Sequence, residues 1–246
     1  MSENDGHRVL IPVEILRGQT IPDAVIETFA SVPVVLLGYH KIPEQTAPSQ
    51  ARLQFEEKAQ TELAELEAVF EETGGDITTR LVFTHKPMKT FERIAVELDC
   101  DSILLLNPAP RLERVLVPIR GDVNIEHIGR LVGRVMAGTH AEVTLLHVAP
   151  EDDLRQSGTE LLESAGQVLQ NTGVPEPWIG KEVVVDDDPL EVILEAADDH
   201  DMVVLGEDRP SVQDLIFGDT SERVAESAVC PVLVVRRRYL EPETET

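Results

Sequence analysis

The sequence predicts a doubly wound α/β protein, a parallel sheet with helices on both faces, laid down as two tandem repeats of which the first is truncated. Two observations predict it. The run Arg8-Val-Leu-Ile-Pro-Val13 recurs as Arg114-Val-Leu-Val-Pro-Ile119, offset by 106 positions, and near-identity at a fixed offset marks an internal duplication. Short runs rich in Val, Ile and Leu then alternate with amphipathic segments in both halves, the signature of right-handed βαβ units in one parallel sheet.

Each half continues in the same order. The first strand is followed by a helix near residues 20–31 and a strand from Val32 to Gly38; the second copy has a helix near 123–138 and a strand from Ala141 to Val148. Helical spacing of three and four sets Phe55, Ala59, Leu63, Leu66 and Phe70 on one face, and Leu154, Gly158, Leu161, Ala165 and Val168 on another. Strands from Ile77 to Thr84 and from Ile179 to Val185 come next, then helices near 88–99 and 189–199. Strands from Ser102 to Leu106 and from Met202 to Leu205 follow.

After Leu106 the halves diverge. Asn107-Pro-Ala-Pro-Arg-Leu-Glu113 leads straight into the second copy, leaving no room for the loop, helix and fifth strand that follow Leu205. The expected organisation is therefore a truncated domain over 1–107, a Pro-rich linker over 108–113, a complete domain over 114–238 and a disordered acidic tail over 239–246. The fourth strand of the first half is left as an edge to be covered or paired.

The C-terminal stretch carries the most distinctive pattern. Gly206 ends a buried strand, a loop runs to Gly218, a helix opens at Asp219 or Thr220, and Cys230-Pro-Val-Leu-Val-Val235 forms a last strand. This resembles the universal stress protein family, whose members carry G-x-x-G, about nine residues, then G-[S/T] opening a helix, and a Cys-Pro-Val-Leu-Val-Val-type strand. The resemblance implies an adenine-nucleotide alpha hydrolase-like topology and a loop that wraps the phosphates of ATP. It also implies antiparallel pairing of the last strand across a two-fold axis.

Carried onto this chain, the family's pocket falls on Pro118, Arg120, Val148, Gly206, Arg209, Gly218, Asp219 and Thr220. Four departures lie in it. Arg209 replaces the second glycine, Asp219 the small hydroxyl residue, Arg120 the acid after the first strand (Glu14 in the first half), and Asp187 the glycine before Asp188-Pro189. A helix start attracts phosphate through unpaired N–H groups and a positive dipole end. Asp219, as an N-cap with Glu222 three residues on, takes those N–H groups itself. One like-charge contact at ~4 Å and an effective dielectric near 20 costs roughly 4 kcal/mol, about three decades of affinity.

The net charge of −25, from 46 acidic and 21 basic residues, excludes nucleic acid and anionic membranes as expected partners. With 42% hydrophobic residues the chain is a foldable protein under an acidic coat. The reading is a halophilic, salt-adapted protein, with an ordinary acidic protein as the alternative. Cys100 and Cys230 sit beside strand-like runs as small buried hydrophobes. The first residues lack a signal peptide, and no apolar run approaches ~18 residues, so a cytoplasmic protein without membrane insertion is expected.

No Walker A, G-x-G-x-x-G, G-x-S-x-G or metal-ligand spacing appears, and His127-Ile-Gly-Arg130 is read as one turn of a buried helix. Acidic clusters such as Asp186-Asp-Asp188 are read as solvated surface, with a bound cation as the alternative. The expected function is a non-catalytic stress-response or regulatory module with a degenerate ATP site. It acts through protein contacts, a transporter among the candidate partners, and through a homodimer formed by Val232 to Val235 or an intrachain pseudo-dimer. No cofactor or metal is expected. The alternatives are ATP or another adenine nucleotide bound in the second half, and a nucleotide-processing enzyme.

Overall fold

The computed structural model describes residues 7–121, 125–136, 139–206, 223–225 and 227–236. The first half contributes β1 (Val9–Glu14), α1 (Asp23–Phe29), β2 (Val34–Lys41), α2 (Pro48–Glu72), β3 (Ile77–Thr84), α3 (Pro87–Glu97) and β4 (Ser102–Leu105). The second contributes β5 (Arg114–Pro118), α4 (Ile125–Val135), β6 (Glu142–Ala149), α5 (Arg155–Asn171), β7 (Ile179–Val185), α6 (Pro189–Asp198), β8 (Met202–Gly206) and β9 (Val232–Val235). The expected helix start at Asp219 and the acidic tail lie outside the described residues.

All the strands join one sheet in the order β3-β2-β1-β4-β9-β8-β5-β6-β7. The run β3-β2-β1-β4 repeats as β7-β6-β5-β8, and β9 stands between the two runs. Every pairing is parallel except β4 with β9, where Ser102 faces Val235 and Leu105 faces Val232. On its other side β9 pairs parallel with β8. The last strand thus lies in the middle of the sheet with both edges hydrogen bonded: of the two expected pairings the intrachain one is present, and β9 covers the free edge of β4.

Strand alternation divides the apolar residues between two faces. Val9, Ile11, Val115 and Val117 point into a core covered by α1, α2, α4 and α5. Leu10 and Leu116 point into a second core covered by α3 and α6, with Val224 and Cys230. The expected face of α2 is observed, with Ala59, Leu63 and Phe70 buried.

The face expected for α5 is turned by about one residue: Leu154 is exposed, and Leu162 and Leu169 are in the core. The reason is close approach to the sheet. Gly158 and Gly166 face His147 and Lys181, where added Cβ atoms would stand 2.5 Å and 2.7 Å from those side chains.

The Pro-rich segment between the halves is packed down. Ala109 and Leu112 are buried, and the Asn107 amide donates to Ala228 O at 3.1 Å and to Cys230 O at 3.0 Å. It thus ties the end of β4 to the start of β9. Among the described residues no helix is long and apolar enough to cross a membrane.

Candidate functional site

In a doubly wound sheet ligands collect beyond the carboxyl ends of the strands where strand order reverses. In the second half that crevice lies between the ends of β5 and β8. Pro118 ends β5 inside the core, and Ile119 extends the ladder by donating its N–H to Leu146 O at 2.7 Å. The Ile119 carbonyl accepts from His147 Nδ1 at 2.7 Å. These bonds fix the strand end from which exposed Arg120 leaves.

Val148 is half-buried near the end of β6, packed against the second core. Gly206 ends β8 under the side chain of Ile128, whose Cδ1 would be 2.7 Å from a Cβ at that position. A side chain there would have to displace the end of Ile128, so glycine lets α4 and β8 come this close. The structure therefore gathers Pro118, Arg120, Val148 and Gly206 at the strand ends of one half; Arg209, Gly218, Asp219 and Thr220 lie outside the described residues.

The acids of the rim are engaged locally. Asp188 caps α6, its Oδ1 accepting from Leu190 N at 3.1 Å and Glu191 N at 3.2 Å. Asp186 Oδ1 accepts from Asp188 N at 2.8 Å. Among the described residues no group of His, Cys, Asp and Glu is arranged to hold a metal ion.

One neighbourhood was missed by sequence reasoning. Because β9 runs antiparallel to β4, the carboxyl ends of β8 and β9 meet the amino ends of β1 and β4, so the start of the first half borders the crevice of the second. Asp101 Oδ2 lies 3.9 Å from His7 Nδ1 and its Oδ1 lies 4.0 Å from His127 Nε2. The two imidazole centroids are 5.0 Å apart. Arg236 donates its N–H to Asp101 O at 2.7 Å and its Nη1 to Cys100 O at 2.9 Å. No spacing in the sequence signals this contact, which depends on β9 bridging the halves.

In the first half Glu14 keeps a carboxylate at the end of β1, ion-paired to Arg17 at 3.1 Å. Burial, with Glu14 nearby, pushes the Tyr39 hydroxyl up to about 12. Both cysteines are free and buried.

A doubly wound sheet with a crevice between β5 and β8, closed by a Cys-Pro-Val-Leu-Val-Val strand, defines the class of the universal stress proteins. The family model described as "Universal stress protein family" matches residues 111–236, just over half of the chain, and the chain belongs to that family. No curated protein matches it by sequence. A universal stress protein from Archaeoglobus fulgidus is similar in structure, with TM-score 0.63, 16% identity, and 95% of this chain and 97% of that one covered. A functionally unknown protein from Pseudomonas aeruginosa is similar with TM-score 0.54 and 14% identity over 95% and 94% of the two chains. The cytoplasmic domain of a prokaryotic cation chloride cotransporter is similar with TM-score 0.53 and 15% identity over 93% and 94%.

Proposed function

We propose that the chain is a non-catalytic, cytoplasmic regulatory or stress-response module, a truncated domain over 1–107 fused to a complete one over 114–238. Its ancestral nucleotide crevice no longer favours a triphosphate, and it acts through protein contacts. The observation that carries the reading is the reversal of charge and shape in one pocket while the surrounding scaffold is kept. In the sequence Asp219 falls where the family motif has a small hydroxyl residue opening a helix, Arg209 where it has glycine, and Arg120 where it has an acid after the first strand.

The geometry supports it. The acids at the end of β7 serve as turn and cap, and Ile128 packs onto Gly206 at the crevice floor. The antiparallel β4·β9 pairing within the chain supports reading it as a pseudo-dimer, the first half taking the place of a partner subunit. The fold is also the one used by the cotransporter's cytoplasmic domain, and a protein partner, a transporter among the candidates, is part of the proposal.

A second reading is ATP bound in the second half. It is favoured by Arg120, exposed at the end of β5, since guanidinium suits phosphate. Calorimetry with ATP and Mg²⁺ at low and high salt, with a turnover assay beside it, separates the readings. The proposal expects no micromolar binding and no hydrolysis; micromolar binding lost on Arg209→Ala establishes the second reading, and turnover establishes an enzyme.

A further inference from the structure

The two outer edges of the sheet are treated differently. On β7, Asp186 donates its N–H to Ala149 O of β6. Alternation then turns the backbone groups of Lys181 and Val183 outward. That edge is capped: Arg155 Nη1 donates to Val183 O at 3.0 Å, and Lys181, in mid-strand, pairs with Glu163 at 2.6 Å. Capping and a mid-strand lysine are standard protection for an edge.

On β3 a charged residue, Arg80, also stands mid-strand, but the backbone cap is missing. Asp76 O accepts from Val34 N and Thr84 O from Ile42 N, so the even-numbered residues face β2. The N–H and C=O groups of Ile77, Thr79, Leu81 and Phe83 point away from the sheet. Among the described residues no side chain bonds the backbone of Thr79, Leu81 or Phe83. Beside this edge α2 and α3 leave a groove of about 880 Å³, roomy enough for an extended peptide backbone and its side chains.

The charge of the groove runs against that of the whole chain. Arg52 on the α2 side and Arg80 and Arg93 on the α3 side line it, with Glu56 as the lining acid. Overall, acids outnumber bases 46 to 21. The arginines are at least half exposed and paired with Glu56 and Glu97 in surface contacts of 3.0 to 3.7 Å. Exposed pairs of this kind are worth about 0–1 kcal/mol and exchange partners readily. At physiological salt the Debye length is about 8 Å, so a ligand in the groove responds to these arginines more than to the distant acidic coat.

We propose that the open edge of β3 is a docking site for an extended acidic segment of a protein partner, which adds a further strand to the sheet and sets its carboxylates against Arg52, Arg80 and Arg93. Backbone hydrogen bonds supply affinity and alternate side chains supply selectivity, as in strand addition generally. The occupant is not a second copy, since antiparallel self-pairing near the strand centre would oppose Arg80 to Arg80. The inference rests on the reading that the chain acts through protein contacts, and it specifies one of them.

The test is fluorescence anisotropy of the full chain with a labelled eight-residue peptide of alternating Thr and Glu, against its Thr-Lys counterpart. The glutamate peptide is expected to bind saturably and the lysine peptide not to bind. Thr79→Pro removes one outward N–H without touching the β2 ladder, and is expected to weaken binding about fivefold or more at an unchanged melting temperature. Arg80→Glu with Arg93→Glu is expected to abolish binding.

Binding of neither peptide, equal binding of both, or indifference to both variants overturns the proposal. So does dimerisation abolished by Thr79→Pro, which assigns the edge to a second copy, and binding seen only after deletion of 239–246, which assigns it to the chain's own acidic tail. Loss of peptide binding leaves the calorimetric result with ATP unchanged, so the two readings fail separately.

Discussion

Asp101 and Asp201 hold the first strands of the two halves in the same way. Asp101 Oδ2 accepts from Arg8 N at 3.0 Å while its own N–H donates to Arg8 O at 2.8 Å. Asp201 Oδ2 accepts from Arg114 N at 2.9 Å while its N–H donates to Arg114 O at 2.8 Å. Each aspartate thus binds both backbone groups of the arginine at the head of the neighbouring strand, just before β1 or at the first position of β5. Replacing either by Ala strands a backbone N–H, at a cost of about 1–3 kcal/mol. Asp101→Ala is expected to be the more damaging, because that carboxylate is 2% exposed and lies between two imidazoles, against 12% for Asp201. Thermal melts of the two variants check the order.

The contact between α4 and α5 depends on having no side chain at two positions. A Cβ at Gly129 would stand 2.5 Å from Val168 Cγ1, and one at Gly133 would run into Thr172. Gly129→Ala is expected to destabilise the chain by about 1–3 kcal/mol through overpacking. Gly121→Ala, which meets nothing within 4 Å, is expected to be neutral. Denaturant midpoints measured side by side give the comparison.

Because β9 is bonded on both edges, each of its N–H groups serves one neighbour or the other. Leu233 stands opposite Leu104 on one side and Val204 on the other. Leu233→Pro is expected to cost about 3 kcal/mol or more and to unfold both halves together. The unmodified chain is expected to run at its single-chain mass of 27.2 kDa in light scattering at low and high salt. Twice that mass, lost when β9 is disrupted in a chain that stays folded, would contradict the intrachain pairing.

The thiols give a pH prediction. Burial, as the main cause, pushes Cys100 up to about 12 and Cys230 up to about 11. A thiol whose folded pKa lies above its unfolded value contributes stability below the unfolded pKa, about 8.5, and loses it as pH rises toward the folded value. Urea midpoints should therefore hold to about pH 8 and fall through pH 9 to 11. Replacing both cysteines by Ala should reduce that alkaline fall. Neither thiol should react with an alkylating reagent at pH 8 until the chain unfolds.

The elements were legible because their signals are local. The strands Ile77–Thr84, Ile179–Val185 and Val232–Val235 stand where their β-branched runs place them, and the apolar stripe of α2 needed only helical periodicity. What was not legible was contact between halves. Nothing near Val232 says whether its free edge meets a second copy or β4 of the same chain, since both offer the same antiparallel ladder. His7 and His127 meet over Asp101 only as a consequence of that choice. The face of α5 differs for another reason: Gly158 and Ala165 are buried as expected, but Gly166, which carries no apolar side chain to signal burial, also faces the sheet and turns the stripe toward Leu162 and Leu169.

The proposed loss of triphosphate binding to charge at the phosphate seat is tested by calorimetry with ATP and Mg²⁺ on the parent chain and on Arg209→Gly with Asp219→Ser. The account predicts no measurable heat of binding for the parent, and a gain of roughly two to three decades in affinity for the restored loop. Micromolar ATP binding by the parent, unchanged in the double variant, would contradict it.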